Sequence, residues 1–309
     1  MKNEAKLTST RADVPDRGLV WLNGQFMDFA AARVSVEDRG FQFGDGIYET
    51  IRVYDGTPFA IEQHIERLSR SAAAIELELP MSGEEFVTIA QELIARSGLK
   101  EAEVYIQVTR GAAPRLHPFP IGVSPTVVMT VRPVRPIPRR FRERGIVVKT
   151  FPDERWARCD IKTICLLPNV LAVERARRAG ADEALFVRDG LVTEGTSSNV
   201  FIVHRGEVVT PPADHRILAG VTRGLVLEIA RGCGYQTDER EIPLSDLKAA
   251  SEVFITSTVK EVLAVVRVDD AVIGNGEPGD VFRRLYDVYR SQLPGRRRAP
   301  GSESVEESR

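Results

Sequence analysis

Lys162 and the run Thr193-Glu194-Gly195-Thr196-Ser197-Ser198-Asn199 are the residues of this chain best suited to chemistry. Lys162 lies between Ile161 and Ile164, with Leu166 and Leu167 just beyond, and an apolar setting favours the neutral, nucleophilic amine. Such an amine can hold a pyridine-aldehyde cofactor as a Schiff base. An ionised carboxylate such as Glu194 can keep the ring nitrogen protonated. Read alone, a lysine in apolar company is usually a side chain that snorkels to the surface, and a hydroxyl-rich run is usually a turn. The chemistry requires a fold that brings the two together.

A cofactor of this kind needs an anchor for its phosphate. Gly220-Val221-Thr222-Arg223 precedes an apolar helix, with Thr222 placed as its N-cap, so free backbone N–H groups and the positive dipole end would collect an anion there. Thr256-Ser257-Thr258 follows a strand and offers further hydroxyls. Arg67 has no acidic residue three or four positions away, its neighbours there being Gln63, His64, Arg70 and Ser71; taken alone it reads as a surface residue. Arg115-Leu116-His117 sits in a loop opened by Gly111 and Pro114. Residues two apart in an extended segment point the same way, so Arg115 and His117 could converge on one carboxylate.

The elements that must position these groups alternate between strand and helix patterns. Leu19 to Phe26 reads as a hairpin about Asn23-Gly24, and Ile47 to Tyr54 as a strand closed by Asp55-Gly56. Ile61 to Ile75 and Glu84 to Arg96 have helical spacing, followed by strands Glu103 to Thr109 and Thr126 to Val131. Three prolines in Arg132 to Pro138 mark a stiff interdomain linker. Beyond it come a strand from Ile146 to Phe151, a short strand around Ile161 and a helix from Asn169 to Ala179 that stops at Gly180. The hairpin about Asp189-Gly190 delivers Glu194 at a strand end. Strands Val200 to Val203 and Val253 to Thr256 bracket a helix from Arg223 to about Ala230.

The expected division is a disordered extension over 1–17, a smaller α+β domain over 18–131, the linker over 132–138, a larger cofactor-binding α+β domain over 139–294, and a disordered tail over 295–309. With 309 residues, 43% hydrophobic and 28% charged, the chain has room for two cores. A formal net charge of -2 gives no case for nucleic acid or a membrane surface, and no run approaches the ~20 apolar residues of a membrane span. Cys159, Cys165 and Cys233 lack CxxC spacing, which makes a reduced cytoplasm the expected compartment and Cys159 a small buried side chain. The four histidines lack metal-ligand spacing, so no metal is expected; there is no Walker A loop and no GxSxG elbow.

Three motifs in order, Asp38-Arg39-Gly40-Phe41-Gln42-Phe43-Gly44-Asp45-Gly46-Ile47-Tyr48-Glu49, Cys159-Asp160-Ile161-Lys162 and Glu194-Gly195-Thr196-Ser197-Ser198-Asn199, closely resemble the fold type IV, pyridoxal-phosphate-dependent aminotransferases. The resemblance runs from about Val20 to Leu293, and Thr109-Arg110-Gly111…Pro114-Arg115-Leu116-His117 is most similar to the branch acting on D-amino acids. It implies the two-domain α+β fold of that family and pyridoxal 5'-phosphate as cofactor. Lys162 would carry the Schiff base and Glu194 would face the ring nitrogen. Arg67, Val221, Thr222 and Thr258 would hold the phosphate, and Tyr48, Arg115 and His117 the substrate carboxylate. The family's loop reaches the neighbouring subunit, which implies a homodimer. The expected reaction exchanges an amino group between D-alanine or D-glutamate and a 2-oxo acid such as 2-oxoglutarate or pyruvate. Thr50 departs from the aliphatic residue usual there. Alternatives are a branched-chain L-amino-acid aminotransferase, an aminodeoxychorismate lyase, or a binding protein that keeps the fold without catalysis.

Overall fold

The computed structural model describes residues 18–296; the expected extension over 1–17 and all but the first two residues of the expected tail lie outside the described residues. Two sheets organise the chain. The first runs in the order Gln25–Asp28, Leu19–Leu22, Thr126–Pro133, Ala102–Thr109, Gly46–Tyr54 and Thr57–Pro58, all antiparallel. Its alternation is written in Ala102–Thr109, where Ala102, Val104, Ile106 and Val108 are buried while Glu103, Tyr105 and Gln107 are half-buried. The buried face packs on helices Ile61–Ala74 and Gly83–Ser97 through Ile65, Leu68, Phe86 and Leu93. Ser82 and Glu85 form a reciprocal capping box at the second helix, and Gly98, with φ 65°, ends it. Asn23 and Gly24 take the positive φ values that a two-residue hairpin turn needs.

The second sheet runs Thr237–Glu239, Glu207–Thr210, Asn199–His204, Glu252–Ser257, Glu261–Val268, Ile146–Pro152, Glu183–Arg188, Leu191–Gly195 and Ile242–Pro243, with Ala271–Val272 against Glu261–Val268. It is mixed: Ile146–Pro152 pairs in parallel with both of its neighbours. Helix Leu167–Arg178 makes the crossover into Glu183–Arg188 that parallel pairing requires. Helices Val221–Gly232 and Asp280–Ser291 cover Phe201 and Phe254 on one face. One antiparallel and one mixed sheet with interspersed helices make this an α+β fold. Among the described residues no helix is long and apolar enough to cross a membrane.

Two sequence expectations need correction. Arg132 and Pro133, assigned to the linker, instead extend a strand by pairing with Glu103 and Ala102. Proline is tolerated there because the strand on its other side pairs no further than Val131. The expected strand around Ile161 is absent; that segment is a loop holding one isolated bridge, Ile47 to Thr163. A helix at Arg139–Arg144, not anticipated from the pattern, precedes Ile146–Pro152.

Candidate active site

Lys162 is held by backbone rather than by its neighbours in sequence. Its carbonyl accepts from Tyr48 N (3.0 Å), its own N–H donates to Ser71 Oγ (3.3 Å), and Ile164 N donates to the Gly46 carbonyl (3.1 Å). The loop thus runs along the edge of the first sheet, and Gly46 lets it approach. A Cβ at Gly46 would lie 2.7 Å from the Val108 carbonyl oxygen and 3.1 Å from Ile164 Cδ1. The Lys162 side chain is half-buried, with Nζ 4.3 Å from the centre of the Tyr48 ring, and opens into a cleft between the two sheets. The empty space in this cleft, its open mouth included, is about 770 Å³, within the usual range for small-molecule sites.

Glu194 is the last residue but one of the strand Leu191–Gly195 and lies buried on the wall of the same cleft. Its carboxylate accepts from Arg155 Nη1, from Asn199 Nδ2 (3.1 Å) and from Leu218 N (3.0 Å). Burial pushes the Glu194 carboxyl above its ordinary range; the Arg155 charge and hydrogen bond, with the Leu218 N–H, oppose that shift. Arg155 is itself clamped by Asp153 through Nε (2.8 Å) and Nη2 (2.9 Å), and Asp153 also accepts from Thr193 Oγ1 (3.0 Å). Sequence reasoning missed Arg155. Nothing in its spacing separates it from a surface arginine, and its partner Glu194 lies 39 positions away.

The segment after Leu218 leads from Glu194 to the opposite end of the cleft. The Ala219 carbonyl accepts from Arg67 Nη1 (3.0 Å), and Gly220 is the N-cap of helix Val221–Gly232. Thr222 is therefore not the cap, as expected, but the second helical residue. Gly220 holds the cap position because a Cβ there would lie 2.0 Å from Asn199 Oδ1. No side chain caps this helix, which leaves its first N–H groups aimed past Gly220. Val221, Thr222 and Thr258 all line the cleft, and the buried Thr256 Oγ1 and Ser198 Oγ on its wall have no hydrogen-bond partner in the protein.

Arg67 is 4% exposed, which overturns its reading as a surface residue. Its counter-ion comes from another element: Glu49, on Gly46–Tyr54, accepts from Nε (2.7 Å) and Nη2 (2.9 Å). His64 Nδ1 lies 2.8 Å from the same carboxylate. Burial alone would raise the Glu49 carboxyl, but Arg67 and then His64 bring it down to about 2. Burial lowers His64, against the pull of Glu49.

These features fit a pyridine ring carrying a phosphate arm. Leu218 to Val221 spans at most about 10 Å, with a carboxylate at one end and an arginine and an uncapped helix N-terminus at the other. The orphaned hydroxyls of Thr256 and Ser198 supply further donors on the wall of the same cleft. Tyr48 lines the cleft, but Arg115 and His117 do not. Both are exposed and turn toward Phe43, the Arg115 guanidinium 4.9 Å from that ring's centre and the His117 ring 5.6 Å from it. Cys159 is buried as expected, with its thiol pushed up by that burial, as suits a packing residue.

The chain is 40% identical over 274 residues to D-alanine aminotransferase of Bacillus licheniformis, covering 89% of this chain and 96% of the relative. It is 41% identical over 277 residues to D-alanine aminotransferase of Staphylococcus haemolyticus, covering 90% and 98%. Among solved structures, the branched-chain amino acid aminotransferase of Escherichia coli superimposes with a TM-score of 0.84 at 26% identity, covering 89% of this chain and 94% of that one. The branched-chain aminotransferase of the archaeon Thermoproteus uzoniensis, solved with norvaline, gives 0.80 at 28% identity, covering 88% and 93%. The family model for amino-transferase class IV matches residues 46–268, a stretch that contains Lys162, Glu194 and the helix N-terminus at Gly220, and the chain belongs to that family.

Proposed function

We propose that this protein is a pyridoxal-phosphate-dependent aminotransferase that moves the amino group of D-alanine or D-glutamate to a 2-oxo acid such as 2-oxoglutarate or pyruvate. The observation that carries the reading is the sharing of one cleft by Lys162, the buried Glu194 and the Arg67-lined helix N-terminus. When bound, the cofactor supplies an aldehyde that condenses with amines and a ring that takes up the electron pair released at the substrate Cα. Arg67, the N–H groups of Val221 and Thr222, and the Thr258 hydroxyl hold its phosphate. Lys162 is the residue that would take the proton from the substrate Cα as base and then give one up as acid. Glu194 faces the ring nitrogen, and the Arg155 guanidinium beside it favours the ionised carboxylate against burial.

Tyr48 supplies one side of the substrate carboxylate site. Arg115 and His117 reach it from a second copy of the chain, which makes the working form a homodimer. The exposed loop side chains Leu116, Phe119 and Ile121 support a loop that finishes its packing against another chain. The same reading takes residues 18–131 and 139–294 as separate domains with the cleft between them, and places the protein, whose three cysteines are free, in the cytoplasm.

Preference for the D series rests on the 40% and 41% identity to D-alanine aminotransferases and on the Arg115-Leu116-His117 loop. The structural likeness to branched-chain enzymes favours the second reading, an L-specific enzyme. Mixing the holoenzyme in parallel with D-alanine and L-leucine should bleach the cofactor's visible band with D-alanine alone; bleaching by L-leucine alone would reverse the assignment. The role of Arg155 is checked by Arg155→Gln. Without the guanidinium that opposes burial, Glu194 keeps its proton to higher pH, so the acid limb of the kcat/KM profile moves upward. An unmoved limb would separate Arg155 from the charge state of Glu194.

A further inference from the structure

The loop bearing Arg115 and His117 has no helix, and beyond the isolated Asp38–Ala112 bridge it lies in no strand, yet three successive carbonyls in it converge on one side chain. Arg39, 4% exposed, donates from Nη1 to the carbonyls of Leu116 (2.5 Å) and Pro118 (3.5 Å) and from Nη2 to that of His117 (3.2 Å). We propose that Arg39 is the residue that positions the Arg115–His117 loop for substrate, and so sets affinity for the amino acid's carboxylate. The proposal rests on the reading of Arg115 and His117 as carboxylate ligands.

Arg39 is itself fixed. It opens the helix Arg39–Phe43, which Asp38 caps by accepting from Gly40 N, and its Nε donates to Asp45 (2.8 Å). Asp45 also accepts from Arg110 Nε (2.9 Å), and Arg110 in turn donates to the carbonyls of Ile75 (2.7 Å) and Glu76 (2.8 Å). This Arg39–Asp45–Arg110 knot therefore ties the loop to the end of helix Ile61–Ala74. The loop's base is fastened to it as well, because Arg39 N donates to the Gly111 carbonyl (2.9 Å) and Phe119 packs 3.7 Å from the Arg110 guanidinium.

Phe43, one turn after Arg39, completes the device. Its ring faces the guanidinium of Arg39 at 4.8 Å and that of Arg115 at 4.9 Å, and lies 5.6 Å from the His117 ring. Holding carbonyls 116 to 118 fixes the direction in which the flanking side chains leave the backbone. A planar fork can serve a carboxylate and three carbonyls together, whereas the compact ammonium of lysine cannot. Exchange for lysine is therefore not conservative at this position.

The test compares Arg39→Lys and Arg39→Gln with Arg115→Ala in the holoenzyme. Arg39→Lys retains the charge opposite Asp45, so it keeps the test usable if the glutamine variant folds poorly. The expected result is a KM for D-alanine raised roughly tenfold or more in all three. In the two Arg39 variants kcat should stay within about threefold of the parent, and trypsin should cut after Arg115 faster. An unchanged KM in both Arg39 variants, with a raised KM in Arg115→Ala, would overturn the positioning role while leaving the carboxylate reading intact. An unchanged KM in Arg115→Ala would sink the carboxylate reading itself, and the proposal with it.

Discussion

Lys162→Ala lowers the rate of transamination by at least about a thousandfold. A positioned acid–base group contributes typically ~10²–10⁴-fold, and here one amine performs both proton transfers. Among the described residues lining the cleft, Lys162 is the one lysine, so no neighbouring amine can substitute for it. The loss is chemical and not structural. The bonds that hold this loop are made by the Lys162 backbone to Tyr48 N and Ser71 Oγ, and the substitution leaves them in place. Steady-state turnover with D-alanine and 2-oxoglutarate, alongside a urea melt, separates the two causes. Near-parental turnover would remove Lys162 from the mechanism.

Glu49→Leu destabilises the fold by about 3–5 kcal/mol, the cost of leaving a buried charge without its partner. Arg67 then sits 4% exposed with its Nε and Nη2 donors unmatched, beside His64, which has also lost its acceptor. The double variant Glu49→Leu with Arg67→Met recovers much of the loss, because removing both charges removes the uncompensated one. Urea unfolding at fixed protein concentration measures both; a loss under about 1 kcal/mol in the single variant would contradict the pairing. The parent's acid sensitivity follows from the same cluster. Glu49 is held at about 2 against an ordinary 4.5, so the unfolded chain binds its proton first, and about 3 kcal/mol is lost as pH falls from 4.5 toward 2. Burial holds His64 below its ordinary 6.5, so it takes up a proton more readily on unfolding, and stability begins to fall below that pH.

Features set by near neighbours are legible in the sequence. The Asn23-Gly24 and Asp189-Gly190 turns, the alternation of Ala102–Thr109 and the spacing of Ile61–Ala74 depend on residues a few positions apart, and the structure contains each of them. The cap of Val221–Gly232 escapes such reading for a related reason. Local preference favours Thr222, but the close approach of Asn199 requires a residue without a Cβ at 220. The bond of Arg155 to Glu194 and those of Arg39 to the loop carbonyls leave no trace in spacing, since these partners lie 39 and 77 to 79 positions away.

By itself, then, the sequence determined the family and the two groups suited to the chemistry, Lys162 and Glu194, because each stands in a short motif of distinctive composition. It could not determine the company those groups keep. Only the tertiary structure decided that Glu49 neutralises Arg67, that Arg155 opposes the effect of burial on Glu194, and that Arg115 and His117 stand outside the cleft of their own chain. The physical reason is range. Turn and helix preferences act over a few residues, whereas a buried charge is stabilised by whatever partner the fold brings within about 3 Å.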